Sequence, residues 1–264
     1  EPHPSGLMQF GCSAAFSPKV VGNSIVWLGS TANGVGVVLR TSGFVPEEVS
    51  NFATHWAFEN YASVSDAIGD TYEALGHQFY ILTFQSAKAT WVWDAKMNMW
   101  HERGLWSASD DMYLAWRPLF HVFAFGKHMA LDFQSEAVYQ VSSDYFTDVG
   151  GAALRRLRRA PAIVKENDLI FYSQFELDLE PGLGATSGQG VAPLVMMRTS
   201  NDGGKTWSSY RTASAGALGV YGNRSVWYRC GAGRRRVFEV AVSDPIAWRI
   251  LNAYLRIKQG SDRG

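Results

Sequence analysis

Seven guanidinium groups sit in two short segments of the 264-residue chain: Arg155, Arg156, Arg158 and Arg159 in "ALRRLRRAP", and Arg234, Arg235 and Arg236 in "GAGRRRV". Arginine presents a planar fork of donors that engages phosphate or carboxylate oxygens two at a time. The clusters therefore suit a polyanion or an acid-rich protein surface. A formal net charge of zero hides the asymmetry. Residues 1–149 carry 7 Lys/Arg against 15 Asp/Glu, residues 150–236 carry 13 against 6, and residues 237–264 carry 4 against 3.

A second constellation is "SNDGGKTW", Ser200 to Trp207. It matches S-x-D-x-G-x-T-W, a pattern that resembles the Asp-box hairpin of sialidase-type β-propellers. An Asp opening a tight turn accepts backbone N–H groups two or more residues on, and a Gly supplies the positive φ of the reversal. Ser200, Asp202, Gly204, Thr206 and Trp207 are thus expected to hold a hairpin together and not to touch substrate. Glycoside hydrolysis needs a carboxyl pair or a sialidase-like set of arginines with Tyr and Glu, and only one clear Asp box is present, without an F/Y-R-I-P segment. No catalytic residue is assigned.

In "WHER", alternation along a strand sends His101 and Arg103 to one face and Trp100 and Glu102 to the other, separating His from Glu. His121 and His128 lie on a hairpin without H-x-H or H-x-x-x-H spacing, so neither a metal nor another cofactor is expected. Gly182, Gly184, Gly188 and Gly190 lack the Lys-Ser/Thr of a phosphate loop. The segment "EPGLGATSGQGVAP" is long for a loop and is expected to be functional or mobile. Cys12 and Cys230 are too few for a disulfide scaffold, although a bridge between them stays open. No apolar run reaches the ~20 residues of a membrane-spanning helix, and no secretory leader is visible.

The elements that must position these residues read as mainly β. Aromatic residues make up 14% and glycines number 26, which suits strands and turns. "VVGNSIVWLG" and "VGVVLRTSG" flank a "TANG" turn; "GHQFYILTF" leads through "SAK" to "TWVWDAKMNMWHER"; "LFHVFAFGKHMALDF" turns at Gly126-Lys127. Successive antiparallel units of this size predict propeller-like blades. Helical spacing predicts a short inserted helix in "SVSDAIGDTYEALGH", capped by Ser65 or Asp66 and closed by Gly76. A second helix is predicted in "DPIAWRILNAYLRI", with Asp244 as N-cap and Pro245 at its first position. One domain is expected over residues 5–258, with a flexible tail over 259–264.

"YGNRSVWYRCGAGRRRVFEVAVSDPIAWRILNAYL", read with "FYSQFELDLEPGLG", resembles the packaged-DNA stabilization proteins, or tail hub (nozzle) proteins, of short-tailed bacteriophages. The upstream segments "NSIVWLGSTANGVGVVLRTSGFVPEEVSNFA", "GHQFYILTF" and "TWVWDAKMNMWHER" resemble that family's blades, so the likeness runs from about Ser5 to about Leu255. Its members are usually longer at the N-terminus. The resemblance implies a non-enzymatic virion protein of the phage tail, assembled in the host cytoplasm. It implies a homohexameric ring below the portal and its adaptor, closing the DNA exit channel and docking spike, fibre or needle proteins. In such a ring the seven arginines would either face passing double-stranded DNA, touching its backbone without reading sequence, or pair with an acidic neighbour. A sialidase-like glycan-binding or glycan-cleaving propeller is the alternative from a different class.

Overall fold

Two hairpins in the first half of the chain close through two-residue turns in which both residues take positive φ. Leu75 and Gly76 have φ of 54° and 74°, and Phe125 and Gly126 have 54° and 70°. Turns of this kind match the right-handed twist of the strands they join, so each closes a tight antiparallel hairpin. The computed structural model describes residues 10–259 apart from 32, 33, 35, 44 and 167. These residues divide into two compact units, Glu1–Ser142 and Ser143–Gly264, where the sequence reading set one domain over 5–258.

The first unit contains three antiparallel meanders. β1 (Lys19–Val21), β2 (Ser24–Ser30), β3 (Gly36–Ser42) and β4 (Val45–Glu48) form one sheet. After α1 (Phe52–Glu59), β5 (Ala67–Ala74), β6 (His77–Phe84), β7 (Ala89–Asp94), β8 (Met99–Ser107) and β9 (Met112–Ala115) form the second. β10 (Pro118–Ala124), β11 (Lys127–Asp132) and β12 (Val138–Gln140) form the third. Strands paired in sequence order are what blades built from hairpins produce. Val26, Leu28, Phe58, Tyr80, Phe84 and Trp93 are buried in one core that ties the first two sheets to the helix. Its polar seams are closed by Tyr80 Oη, which donates to the Ser17 carbonyl at 2.9 Å, and Trp100 Nε1, which donates to the Val49 carbonyl at 2.7 Å.

The second unit, after a 3-10 turn at Val149–Gly151, is a sandwich of two sheets. β13 (Arg156–Arg159) and β14 (Ile163–Val164) pair with β20 (Arg235–Val242), which pairs with β16 (Leu194–Ser200) and through it β17 (Arg211–Ser214). The opposing sheet is built on β15 (Ile170–Leu179), flanked by β18 (Ser225–Tyr228), β19 (Ala232–Gly233) and β21 (Ile250–Gln259). Ile170, Tyr172, Phe175, Leu177 and Leu179 face Val195, Met197, Phe238, Val240 and Val242 in the core. The inward residues of β15 switch from even to odd numbers where its register against β21 shifts between Tyr172 and Gln174. A bulge there moves the following side chains to the other face and keeps the apolar ones inside.

Both helices expected from spacing are strands. Ala67–Ala74 pairs with β6 along its whole length, and Gly76, expected as a C-cap, is the second residue of the I′-type turn. A side chain at Gly69 would meet the Ser17 carbonyl oxygen at 2.2 Å, so the glycine admits a neighbouring backbone segment that helical spacing does not register. The helix of this region lies earlier, over Phe52–Glu59, where Asn51 and Thr54 form a capping box. Ile250–Gln259 pairs with β15 almost throughout. Asp244 caps no helix; its carboxylate accepts from Leu194 N at 2.7 Å and Gln189 Nε2 at 3.1 Å. The turn expected at Gly126-Lys127 is at Phe125-Gly126, with Lys127 already paired to Ala124. The tail expected over 259–264 lies outside the described residues beyond Gln259. Cys12 and Cys230 carry free thiols.

Candidate functional site

β20 runs between β13 and β16, and register sets Arg159, Glu239 and Arg198 abreast on three adjacent strands. Cross-strand neighbours on one face stand close enough for long side chains to pair. Arg159 donates to Glu239 Oε2 from Nε at 3.1 Å and from Nη2 at 2.7 Å. Arg198 Nε donates to Oε1 at 2.6 Å, and Tyr210 Oη donates to the same oxygen at 2.8 Å. Glu239 is 0% exposed. Burial pushes its carboxyl pKa up, but hydrogen bonds from Arg198, Arg159 and Tyr210 outweigh that and leave it below its ordinary value.

The turn between β16 and β17 supplies the cover. Ser200 Oγ donates to Asp202 Oδ1 at 2.6 Å and accepts from Gly204 N at 2.8 Å. Asp202 also accepts from Lys205 N at 2.8 Å, Thr206 N at 2.9 Å and Thr206 Oγ1 at 2.6 Å. Led by the Ser200 hydroxyl, these donors hold the Asp202 carboxyl far below the usual range. Gly204 at φ 100° turns the chain, and its carbonyl accepts from Trp207 Nε1 at 3.0 Å. The indole of Trp207 is thereby fixed against Arg159 and Arg198, whose guanidinium carbons lie 4.8 and 4.7 Å from its centroid. The side-chain oxygens of Ser200, Asp202 and Thr206 are spent on the turn, and Trp207 lies over the ion pairs.

The seven arginines separate accordingly. Arg155 donates to Tyr210 Oη at 2.6 Å. Arg156 holds the Ile246 carbonyl and, at 2.6 Å, the Asp244 carbonyl. Arg236, 2% exposed, donates to Asn201 Oδ1 at 2.7 Å and to the Cys230 and Ala232 carbonyls at 2.6 and 2.7 Å, with its guanidinium over the Tyr172 ring. Arg159 is half exposed but bound to Glu239. Arg158, Arg234 and Arg235 are exposed, and Arg235 lies against Gly203 in the Asp202 turn. The basic surface that remains is thus narrower than the sequence suggests.

The first unit holds pairs that no local pattern marks. His121 Nδ1 lies 2.5 Å from Asp70 Oδ2, and His77 Nδ1 lies 2.6 Å from Asp94 Oδ2. In "WHER", Arg103 Nε donates to His101 Nε2 at 3.3 Å, the same-face placement expected from alternation. Among the described residues no group of three His, Cys, Asp or Glu is placed to hold a metal ion. Among them, too, no helix is long and apolar enough to cross a membrane.

Antiparallel meanders followed along the chain by a two-sheet sandwich with exposed arginines define a β-rich protein of modular build. Two family models match it in that order: one described as bacteriophage P22 Gp10, beta-propeller, over residues 2–146, and one described as bacteriophage P22 Gp10, beta-sandwich, over residues 155–258. The chain belongs to the bacteriophage P22 Gp10 family, structural proteins of the phage tail associated with DNA stabilisation. No curated protein matches it. Among solved structures, an exo-β-1,3-galactanase from Phanerochaete chrysosporium aligns with 88% of this chain and 66% of its own, at 8% identity and a TM-score of 0.24. A likeness that weak says nothing of fold or chemistry.

Proposed function

We propose that this chain forms a homohexameric ring in the phage tail, the hub or nozzle below the portal and its adaptor. The ring closes the DNA exit channel, retains packaged DNA and docks spike, fibre or needle proteins. The observation that carries this reading is the consecutive match of both halves of the chain to one family of phage structural proteins. Its action is steric and does not involve catalysis. In support, Asp202 and Glu239, the carboxylates beside the enzyme-like turn, are engaged by hydroxyls, backbone N–H groups and guanidiniums. Contacts to passing DNA come from the exposed Arg158, Arg234 and Arg235, and are made to phosphates, weakly and without sequence preference. A ring repeats each exposed arginine around its axis, so weak individual contacts accumulate.

The test is quantitative mass spectrometry of purified particles, counting this chain against the portal protein. A fixed ratio of one chain to two portal subunits supports a six-membered ring under a twelve-membered portal. Absence from the particle removes the reading.

A further inference from the structure

In the first unit five rings stack into a column across neighbouring strands. His77 lies on Phe79 (5.9 Å, 10°), Phe79 on Tyr72 (4.8 Å, 22°), Tyr72 on His121 (4.9 Å, 21°) and His121 on Trp116 (5.5 Å, 24°). Asp70 holds the fourth ring in place, accepting from the His121 backbone N–H at 3.0 Å as well as meeting Nδ1. Burial raises the Asp70 pKa, but its bonds to His121 and the charge beside it lower it further, so the group is a carboxylate near neutral pH. A carboxylate only accepts, so the His121 proton facing it sits on Nδ1 and Nε2 is directed elsewhere.

That Nε2 is buried and has no hydrogen-bond partner, on a side chain only 1% exposed. A buried polar nitrogen left unmatched is costly and uncommon in folded proteins. His121 is itself one of the residues lining a recess of about 480 Å³. Thr71, Glu73 and His128 share its wall with Val122 and Phe123. Glu73 and His128 also line a second recess of about 790 Å³, where Asn23, Arg40, Gln78 and Lys96 lie. The two recesses therefore adjoin. Their walls mix cations, a carboxylate and neutral amides, with no large excess of one sign. A phosphate-rich ligand selects a wall of cations, and a basic peptide selects a wall of carboxylates. A mixed wall with an exposed aromatic edge at Phe123 suits a ligand that carries many hydroxyls around an apolar face.

We infer that these adjoining recesses bind a neutral oligosaccharide, with a sugar hydroxyl meeting His121 Nε2 and an apolar sugar face resting on Phe123. The site goes beyond the ring function and would give the tail a contact with a glycan-coated surface.

The test uses the full chain and imidazole nitrogen and aromatic NMR, titrated with the methyl glycosides of glucose, galactose, mannose and N-acetylglucosamine. Saturable shifts of His121 Nε2 and the Phe123 ring with at least one glycoside are expected. Phe123→Ala and Glu73→Gln, both at solvent-accessible positions, should each weaken that binding about tenfold. The proposal is overturned if no glycoside moves these resonances, or if both variants bind as the parent does. It is equally overturned if the same resonances respond to duplex DNA or a lysine-rich peptide and to no glycoside.

Discussion

The two units use the same devices for charge in different proportions. The first holds 7 Lys/Arg against 13 Asp/Glu, pairs its buried Asp132 with Arg117 and lays Arg103 on rings, the guanidinium 4.8 Å from Trp116, 5.3 Å from Tyr72 and 5.4 Å from Phe79. The second holds 17 against 11 and places one buried glutamate between two arginines and one buried arginine among carbonyls. The rings under Arg103 carry no charge that must be matched, and the polar cluster beside them, with Asp70 already held by His121, can end in an open recess. In the second, each buried charge demands a partner, and most of an arginine-rich sequence is consumed in meeting that demand. A run of arginines therefore measures a binding surface poorly until strand register shows which of them stay exposed.

The comparison breaks first at Glu239. Glu239→Ala should cost about 3–5 kcal/mol in urea denaturation, because it strands two guanidiniums and a phenol around an unfilled space. Arg236→Leu should cost about 2–3 kcal/mol, since Asn201 and the Cys230 and Ala232 carbonyls lose their donor. In the first unit Arg103→Ala should cost only about 1–2 kcal/mol, the worth of a cation over partly exposed rings and of its bonds to Tyr72 Oη and His101 Nε2. Equal losses at Arg103 and Glu239 would show that the two units do not differ in this respect.

Titration sharpens the same point. The folded pKa of Glu239 is depressed, so its contribution is complete above the unfolded value of about 4.3 and is lost as pH falls through the lower folded value. Tyr210 runs the other way. Burial first, then its bond to Glu239 and that residue's charge, push its phenol up to about 12. Its contribution is complete below the unfolded value of about 10 and is lost as pH rises from there to about 12. Glu239→Gln should flatten the acid limb of stability against pH, and Tyr210→Phe the alkaline limb, each followed by denaturation across pH.

Much of this architecture is legible in local sequence. The Asp94-led turn, whose carboxylate accepts from Lys96 N and Met97 N, and the Asp202 turn are both made by residues within four positions of each other. The two misread helices show where local reasoning stops. Ile246, Ile250 and Tyr254 have helical spacing, yet β15 pairs with the segment from some 80 positions upstream. The partners that settle the arginines are equally remote, with Arg159 and Glu239 80 residues apart and Arg236 and Asn201 35 apart. Asp70 and His121, 51 residues apart, carry no motif at all. The Asn51-to-Thr54 capping signal of α1, by contrast, lay in the sequence and could have located that helix.

The smallest effect on stability, and the most direct reading of the exposed arginines, is expected from Arg234→Gln with Arg235→Gln. Both side chains are exposed, so the double variant should cost less than any of the replacements above. Arg236 must be left intact: a triple replacement would damage the sandwich and imitate a loss of binding. If the two arginines meet phosphates, duplex binding by the double variant should weaken evenly across sequences. The slope of log K against log salt should then fall by about one for each phosphate contact removed. If the arginines instead face an acidic neighbour in the ring, DNA binding and its salt slope should be unchanged while assembly, measured by sedimentation, shifts toward the monomer. The two outcomes differ in kind, and the choice between them turns on two exposed side chains next to Arg236, whose own guanidinium is held inside the fold.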